Sequence, residues 1–346
     1  MEFCQGHARM AESFRSIREW RDVELDIFQN EIVPQKQPAV LRSLVTDWPA
    51  VEEALTSPVH ICSYIKRFDV ERPVNATVGA PSIKGRFFYR EDLRGFNFER
   101  KLVTVSTALD NLVSLIDRPE TPAIAMQAIA VADVLAGFEK ENVLPLVDAS
   151  LAPRMWLGNK SIIATHYDIY SNIACVVAGR RRFTLFPPEQ VANLYVGPLL
   201  TTPGGSPISM VDLREPDLAR FPRFKQALEV GQQADLEPGD AIYIPILWWH
   251  SVESLSSLNV LVNYWWNDAA TVADSPFHSL LHGMLSMSKL PADQRKSWRD
   301  FFDYFVFQTD NDPAEHLPDD IGDVLGSLTP EKREQLKAWL SQQLLS

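Results

Sequence analysis

The sequence predicts a mainly β protein with flanking helices, followed by a separate helical region at the C-terminal end. Three observations carry that expectation. Between residues 123 and 266 the chain is a succession of short runs rich in Val, Ile, Leu, Phe, Tyr and Trp, the composition of pleated, half-buried strands. These runs are cut by turn residues at Gly179, Pro187, Pro188, Pro238 and Gly239. Past residue 268 the apolar residues recur at helical spacing instead.

Residues 11–20 are expected to be helical, and residues 23–45 lead into the main domain. Residues 58–69 read as a short helix and 74–78 as a strand. Phe87, Phe88 and Tyr89 open a segment that either borders a substrate mouth or fills core, the usual use of aromatics. Residues 123–128 form a strand carrying Gln127, residues 162–168 another, and residues 173–186 two β-rich runs hinged at Gly179 with Arg180, Arg181 and Arg182 between them. Residues 199–205, which contain Thr201-Thr202-Pro203-Gly204-Gly205, are a loop, either a specificity element or an ordinary connection. A turn at 236–240 and a strand at 259–266 complete the domain.

Residues 275–288 are helix-compatible, and residues 292–308 carry Trp298, Phe301, Phe302 and Phe305 with helical recurrence. Thr329-Pro330-Glu331 starts a last helix bearing Leu336, Trp339, Leu340 and Leu344. The expected organisation is a helical lead-in over 1–36, a catalytic domain over 37–268 and a C-terminal helical region over 269–346.

With 346 residues and 46% hydrophobic content the chain can bury one large core domain with an appendage. Its net charge of -12, from 33 basic and 45 acidic residues, gives no sign of a phosphate-backbone binder, so no nucleic-acid partner is expected. Cys4, Cys62 and Cys175 fit neither a zinc spacing nor a disulfide framework. Reduced thiols, no secretory signal and no apolar stretch of bilayer length lead to the expectation of a cytoplasmic protein without a membrane partner.

The chemistry is concentrated in His166-Tyr167-Asp168 and in His250, which follows Trp248-Trp249. Side chains alternate across a strand, so His166 and Asp168 project from one face while Tyr167 points away. Two histidines and a carboxylate can hold one face of an octahedral divalent ion and leave the other face open, which is the donor set of oxygen-activating iron sites. The short motif alone is weak, and its surroundings give it weight. His278 and His282 stand one helical turn apart but lack a third ligand, and a helix-surface or interface role is favoured for them.

In order and register, Trp156-Leu157-Gly158, His166-x-Asp168-x-x-x-Asn172, the run from Gly179 through Arg181 to Pro187-Pro188, Gly239-Asp240 through Ile244-Pro245 to Trp248-Trp249-His250, and Asn263-Tyr264-Trp265 resemble the cupin-like JmjC oxygenases, and within them the asparaginyl hydroxylase type. The likeness runs from residue 38 to residue 266. It implies a double-stranded β-helix of jelly-roll (cupin) type, with Fe(II) held by His166, Asp168 and His250, 2-oxoglutarate as cosubstrate and O2 as oxidant. It implies that Arg181, where relatives carry a lysine, pairs with the distal carboxylate of the cosubstrate, with a bidentate fork in place of a point charge. A solvated basic edge is the other reading of Arg180 to Arg182. Asn172 and Asn263 match cosubstrate-binding or site-ordering positions, and Gln127 and Trp265 match substrate-binding ones. Each has a plain structural alternative as a strand amide or core aromatic.

Two positions depart from the pattern: Ile163 and Ala125 stand where hydroxylase relatives place a threonine and a tyrosine against the distal carboxylate. The resemblance leads to a hydroxylase acting on a protein or peptide side chain, with release of succinate and CO2. N-methyl-lysine demethylation and small-molecule hydroxylation are alternatives within the class. A cupin-like metal-binding sensor without turnover is the alternative of another class. Hydroxylases of this type pair through C-terminal helices, so a homodimer is implied, with packing of those helices onto their own chain as the competing arrangement.

Overall fold

A computed structural model describes residues 14–267, 274–308, 312–318, 324–325 and 329–345. The chain divides into two compact units, residues 1–268 and 269–346.

In the first unit the strands are, in order, β1 (Arg15–Ser16), β2 (Arg18–Trp20), β3 (Ala39–Leu41), β4 (Val74–Gly79), β5 (Arg86–Phe87), β6 (Phe98–Val103), β7 (Ala123–Ala130), β8 (Arg154–Gly158), β9 (Ile162–Tyr167), β10 (Ser171–Ala178), β11 (Arg181–Phe186), β12 (Gln232–Leu236), β13 (Ala241–Ile244), β14 (Trp249–Ser254) and β15 (Asn259–Trp266). They form two sheets. The smaller runs β1-β12-β11-β14-β9-β5 and the larger runs β2-β3-β13-β10-β15-β8-β7-β4-β6. Of the eight strands from β8 to β15, β8, β10, β13 and β15 lie in the larger sheet and β9, β11, β12 and β14 in the smaller, paired antiparallel within each, which is the double-stranded β-helix expected from the sequence.

Alternation along each strand decides what fills the space between the sheets. Phe183, Leu185 and Leu236 from the smaller sheet meet Val40, Ala174, Val176, Ile242, Ile244 and Leu261 from the larger one. The intervening residues of the larger sheet, such as Ile173, Cys175, Val177, Val260 and Val262, face outward into a second core. That core is closed by the helices Pro49–Thr56, Pro58–Lys66 and Val105–Leu115. Both faces of the larger sheet are therefore buried, which is why β10 reads as one continuous apolar run. Gly179 makes the tight turn from β10 to β11 at φ +75°, where an added Cβ would lie 2.4 Å from the Leu258 carbonyl oxygen.

The expected helix over 11–20 is not what forms. Residues 11–13 lie outside the described residues, and residues 15–20 make β1 and β2, parallel to β12 and β3 respectively. Phe14, Ile17 and Trp20 are spaced as on one helical face, yet their partners lie in three places. Phe14 meets Phe186 edge-on at 6.0 Å, Ile17 is buried between the sheets, and Trp20 packs in the layer under the helices. Extended pairing satisfies the backbone and delivers each side chain to its own site, and this tertiary gain overrides local helix propensity.

The second unit contains the helices Pro276–Met287, Ala292–Phe305 and Pro330–Leu345. The last begins as expected: the Thr329 hydroxyl accepts from the Lys332 N–H at 3.3 Å, with Pro330 in the first turn. Among the described residues, no helix is long and apolar enough to cross a membrane.

Candidate metal centre

His166 is the penultimate residue of β9, His250 lies near the start of β14, and the two are directly opposite in the β9–β14 ladder. Asp168 follows β9 by one residue, and its backbone carbonyl accepts from the Leu247 N–H at 3.0 Å. Tyr167 turns the other way, against Trp249 at 4.8 Å between ring centroids. The strand alternation read from the sequence thus brings both histidines and the carboxylate to one point. Their ligand atoms lie within 4.8 Å of one another, and this is the metal-competent cluster found among the described residues.

Each histidine is oriented by its own strand. His166 Nδ1 lies 2.9 Å from the Ala164 carbonyl and His250 Nδ1 lies 3.0 Å from the Trp248 carbonyl. A carbonyl only accepts, so Nδ1 carries the proton in both rings and Nε2 is the free donor atom. Burial, then the neighbouring His166 imidazole, holds His250 below the ordinary imidazole range, against the opposing pull of Asp168. The neutral ring is the form that ligates a metal.

The ladder carries a bulge at this point. His250 faces His166 and Val252 faces Ile163, so Ser251 alone opposes Ala164 and Thr165. The extra residue in β9 brings Ile163 to the same pocket as His166. That pocket is lined by Thr77, Phe87, Phe98, Gln127, Trp156 and Ile163, with His166 and the loop residues Pro203, Gly204 and Ser206. Gln127 lines this pocket. Phe87 lines this pocket and also packs in an apolar cluster.

Ala125 and Ile163, the two departures, meet in a single apolar cluster with Phe87, Ala123, Ile83 and Phe98. A hydroxyl does reach this region from another strand: Thr77 on β4 pairs directly with Ala125 on β7 and is buried. Nothing in the sequence motif announced Thr77, because its relevance depends on the register of two strands almost fifty residues apart.

Arg181 begins β11 and alternates with Phe183 and Leu185, so it shares their inward face. It is 6% exposed. Arg180 and Arg182 are the solvated pair, bound to Glu237 and Asp235. Among the described residues no carboxylate pairs with Arg181, and its Nε has no hydrogen-bond acceptor. Burial alone brings its pKa down to about 10, which leaves it charged at neutral pH. A buried cation without an internal counter-ion is a seat for an anion.

The two asparagines are linked. Trp156 Nε1 donates to Asn263 Oδ1 at 2.8 Å, and Asn263 Nδ2 donates to Asn172 Oδ1 at 3.1 Å. Trp265 packs edge-on against Trp156 and stacks on the partly exposed Tyr170. Trp156, which sequence reading used only as part of the resemblance, is thus both pocket wall and donor. His278 and His282 lie in the second unit and form no metal cluster there among the described residues.

The profile of a family described as a cupin-like domain matches residues 25–271. The chain is 41% identical over 103 residues to lysine-specific demethylase JMJ31 of Arabidopsis thaliana, covering 30% of this chain and 18% of that protein. It is 27% identical over 253 residues to JmjC domain-containing protein D of Dictyostelium discoideum, covering 68% and 53%. It is 30% identical over 153 residues to tRNA wybutosine-synthesizing protein 5 of Danio rerio, covering 40% and 43%. The chain spans about half the length of these relatives or less.

Proposed function

Because the chain belongs to the cupin-like domain family of JmjC type, we propose that it is an Fe(II)- and 2-oxoglutarate-dependent oxygenase that hydroxylates a neutral side chain of a protein or peptide. The single observation that carries this reading is the unpaired, buried Arg181 on the inward face of the same barrel that holds His166, Asp168 and His250. The donor set fits iron, since two imidazoles with free Nε2 and one carboxylate leave coordination positions open. When bound, iron with 2-oxoglutarate and O2 supplies insertion of one oxygen atom into a C–H bond, coupled to conversion of the 2-oxo acid to succinate and CO2.

The residues of the chain do the rest. The Arg181 guanidinium takes the distal carboxylate of the cosubstrate. Phe87 and Ile163 line the pocket beside His166 with carbon, which keeps that side of the site apolar. Asn172 and Asn263, fixed by Trp156, order the floor of the site. Gln127 offers an amide to a substrate polar group, with Trp265 bordering the approach.

The pocket lining bears on the choice between stable hydroxylation and demethylation. Of its residues only His166 is ionisable, and that side chain is committed to the metal. A methylammonium entering there would lose its hydration with no counter-ion, at a cost of several kcal/mol, whereas an aliphatic or amide side chain would not. A tRNA substrate, the class in the name of the zebrafish relative, is disfavoured by a chain charge of -12. Buried free thiols at Cys62 and Cys175 suit a reducing, cytoplasmic compartment, and the exposed aromatics of the C-terminal helices suit a homodimer.

Anaerobic addition of Fe(II) and 2-oxoglutarate should give a visible charge-transfer band, lost in His166→Ala and Asp168→Ala. With O2 and cell-extract peptides, succinate should accumulate with a peptide heavier by about 16 Da, one oxygen atom. Absence of both band and succinate would sink the oxygenase reading. Formaldehyde from a methylated peptide, without a stable heavier product, would replace hydroxylation by demethylation.

A further inference from the structure

The two oxygens of the Asp168 carboxylate are held differently. Oδ2 lies 3.7 Å from His250 Nε2, on the side where the histidine donors converge. Oδ1 instead accepts a hydrogen bond from the Ser206 hydroxyl at 3.3 Å. The backbone of Asp168 is fixed separately by the Leu247 N–H, and Leu247 adopts a left-handed φ of +65° to deliver it. With the main chain anchored there, the remaining freedom of the residue is rotation of its carboxylate, and Ser206 is the group that restrains it.

Ser206 does not belong to the barrel strands. It ends the loop that carries Thr201, Thr202, Pro203, Gly204 and Gly205, and that loop is tied down at two points. Tyr89 donates its hydroxyl to the Thr201 carbonyl at 2.6 Å, and Arg100 donates to the Pro203 carbonyl at 2.7 Å. Pro203, Gly204 and Ser206 all line the pocket that contains His166. One short segment therefore forms part of the substrate wall and also touches a metal ligand.

We propose that Ser206 is a positioning residue that keeps Asp168 monodentate, with Oδ2 toward the metal and Oδ1 tied back to the loop. Through it, the loop that lines the substrate pocket sets the number of coordination positions left open. The inference rests on the metal-centre reading above and goes beyond it, since the triad alone does not decide between one and two carboxylate oxygens on the ion. The 3.3 Å separation is long for a hydroxyl-to-carboxylate bond, which reaches full strength near 2.5–2.7 Å. A small inward movement of the loop would tighten the bond, so filling of the pocket and ligand geometry are coupled.

Co(II) titration of the full-length chain tests this without turnover or cosubstrate, because its visible absorption reports coordination number as well as affinity. Wild type should bind one Co(II). Ser206→Ala should bind it about 10- to 100-fold more weakly, the usual cost of losing an outer partner of a ligand. Its visible bands should also change in position and intensity per bound ion, as expected when a second carboxylate oxygen takes a position otherwise left to solvent. Ser206→Thr keeps the hydroxyl and should restore both readouts. Arg100→Ala, which frees the loop at Pro203 without touching a ligand, should shift the bands in the same direction as Ser206→Ala. A Ser206→Ala protein with wild-type affinity and spectrum would overturn the role of Ser206 alone. An unmoved spectrum in Arg100→Ala would overturn the coupling through the loop. A wild-type chain that takes up no Co(II) would overturn the metal-centre reading together with this one.

Discussion

A buried cation costs stability, because its lost hydration is offset only when an anion faces it. Arg181 is in that position, with its pKa brought down to about 10 by burial and nothing opposing it. At about 1.4 kcal/mol per pH unit this corresponds to a penalty on the order of 3 kcal/mol. The sign is that of a depressed cation. The unfolded chain holds the proton more tightly, so the penalty is in force below about pH 10 and fades only as pH rises above that toward the ordinary guanidinium range. Arg181→Met, which keeps length and removes charge, should therefore raise the urea midpoint of the metal-free protein, by roughly 1–3 kcal/mol in unfolding free energy. Wild type with Mn(II) should gain about 2.7 kcal/mol when 2-oxoglutarate is present at a hundred times its Kd, and the variant should gain nothing. A Met variant that is less stable and still responds to 2-oxoglutarate would remove Arg181 as the carboxylate seat.

Strands and loops supply what individual residues cannot. Ile17 sits between β1, paired to the smaller sheet, and β2, paired to the larger one, so the first described segment ties the two sheets together. It is 2% exposed in the core between them. Ile17→Ala should cost about 2–5 kcal/mol, read as a lowered urea midpoint, whereas a helix with one exposed face would tolerate the change. An unchanged midpoint would mean that these strands add nothing to the barrel. The same segment shows where the sequence was opaque: three aromatic and aliphatic residues at helical spacing do not reveal that their partners lie on different layers. The triad was legible because its geometry depends on one strand end, His166 and Asp168 two residues apart, with His250 near the start of β14, the strand paired beside it. Arg181 was singled out by the family pattern alone, and its burial follows from alternation with Phe183 and Leu185 on β11. Thr77, the β9 bulge that turns Ile163 inward and the Ser206 contact were not, because each depends on a register or loop path that no local pattern encodes.

Across the molecule, the second unit raises the question of what covers its aromatic side chains. On the helix Ala292–Phe305, Trp298, Phe301 and Phe305 follow one another at three- and four-residue spacing, with adjacent ring centroids 5.6 and 6.0 Å apart. All three are more than 40% exposed, as are Trp339, Leu340 and Leu344 on the helix Pro330–Leu345. A contiguous apolar stripe of this kind marks an interaction surface, and a second copy offers the same stripe in return. The expected state is a dimer, with Phe301→Glu shifting the mass to that of one chain in light scattering while leaving Co(II) affinity at His166, Asp168 and His250 unchanged. Each chain carries a net charge of -12, so the two copies repel and added salt should tighten the pairing through screening, opposite to an interface held by ion pairs. A wild-type chain of single-chain mass at every concentration and salt, or a Phe301→Glu protein of dimer mass, would assign the stripe to some other contact.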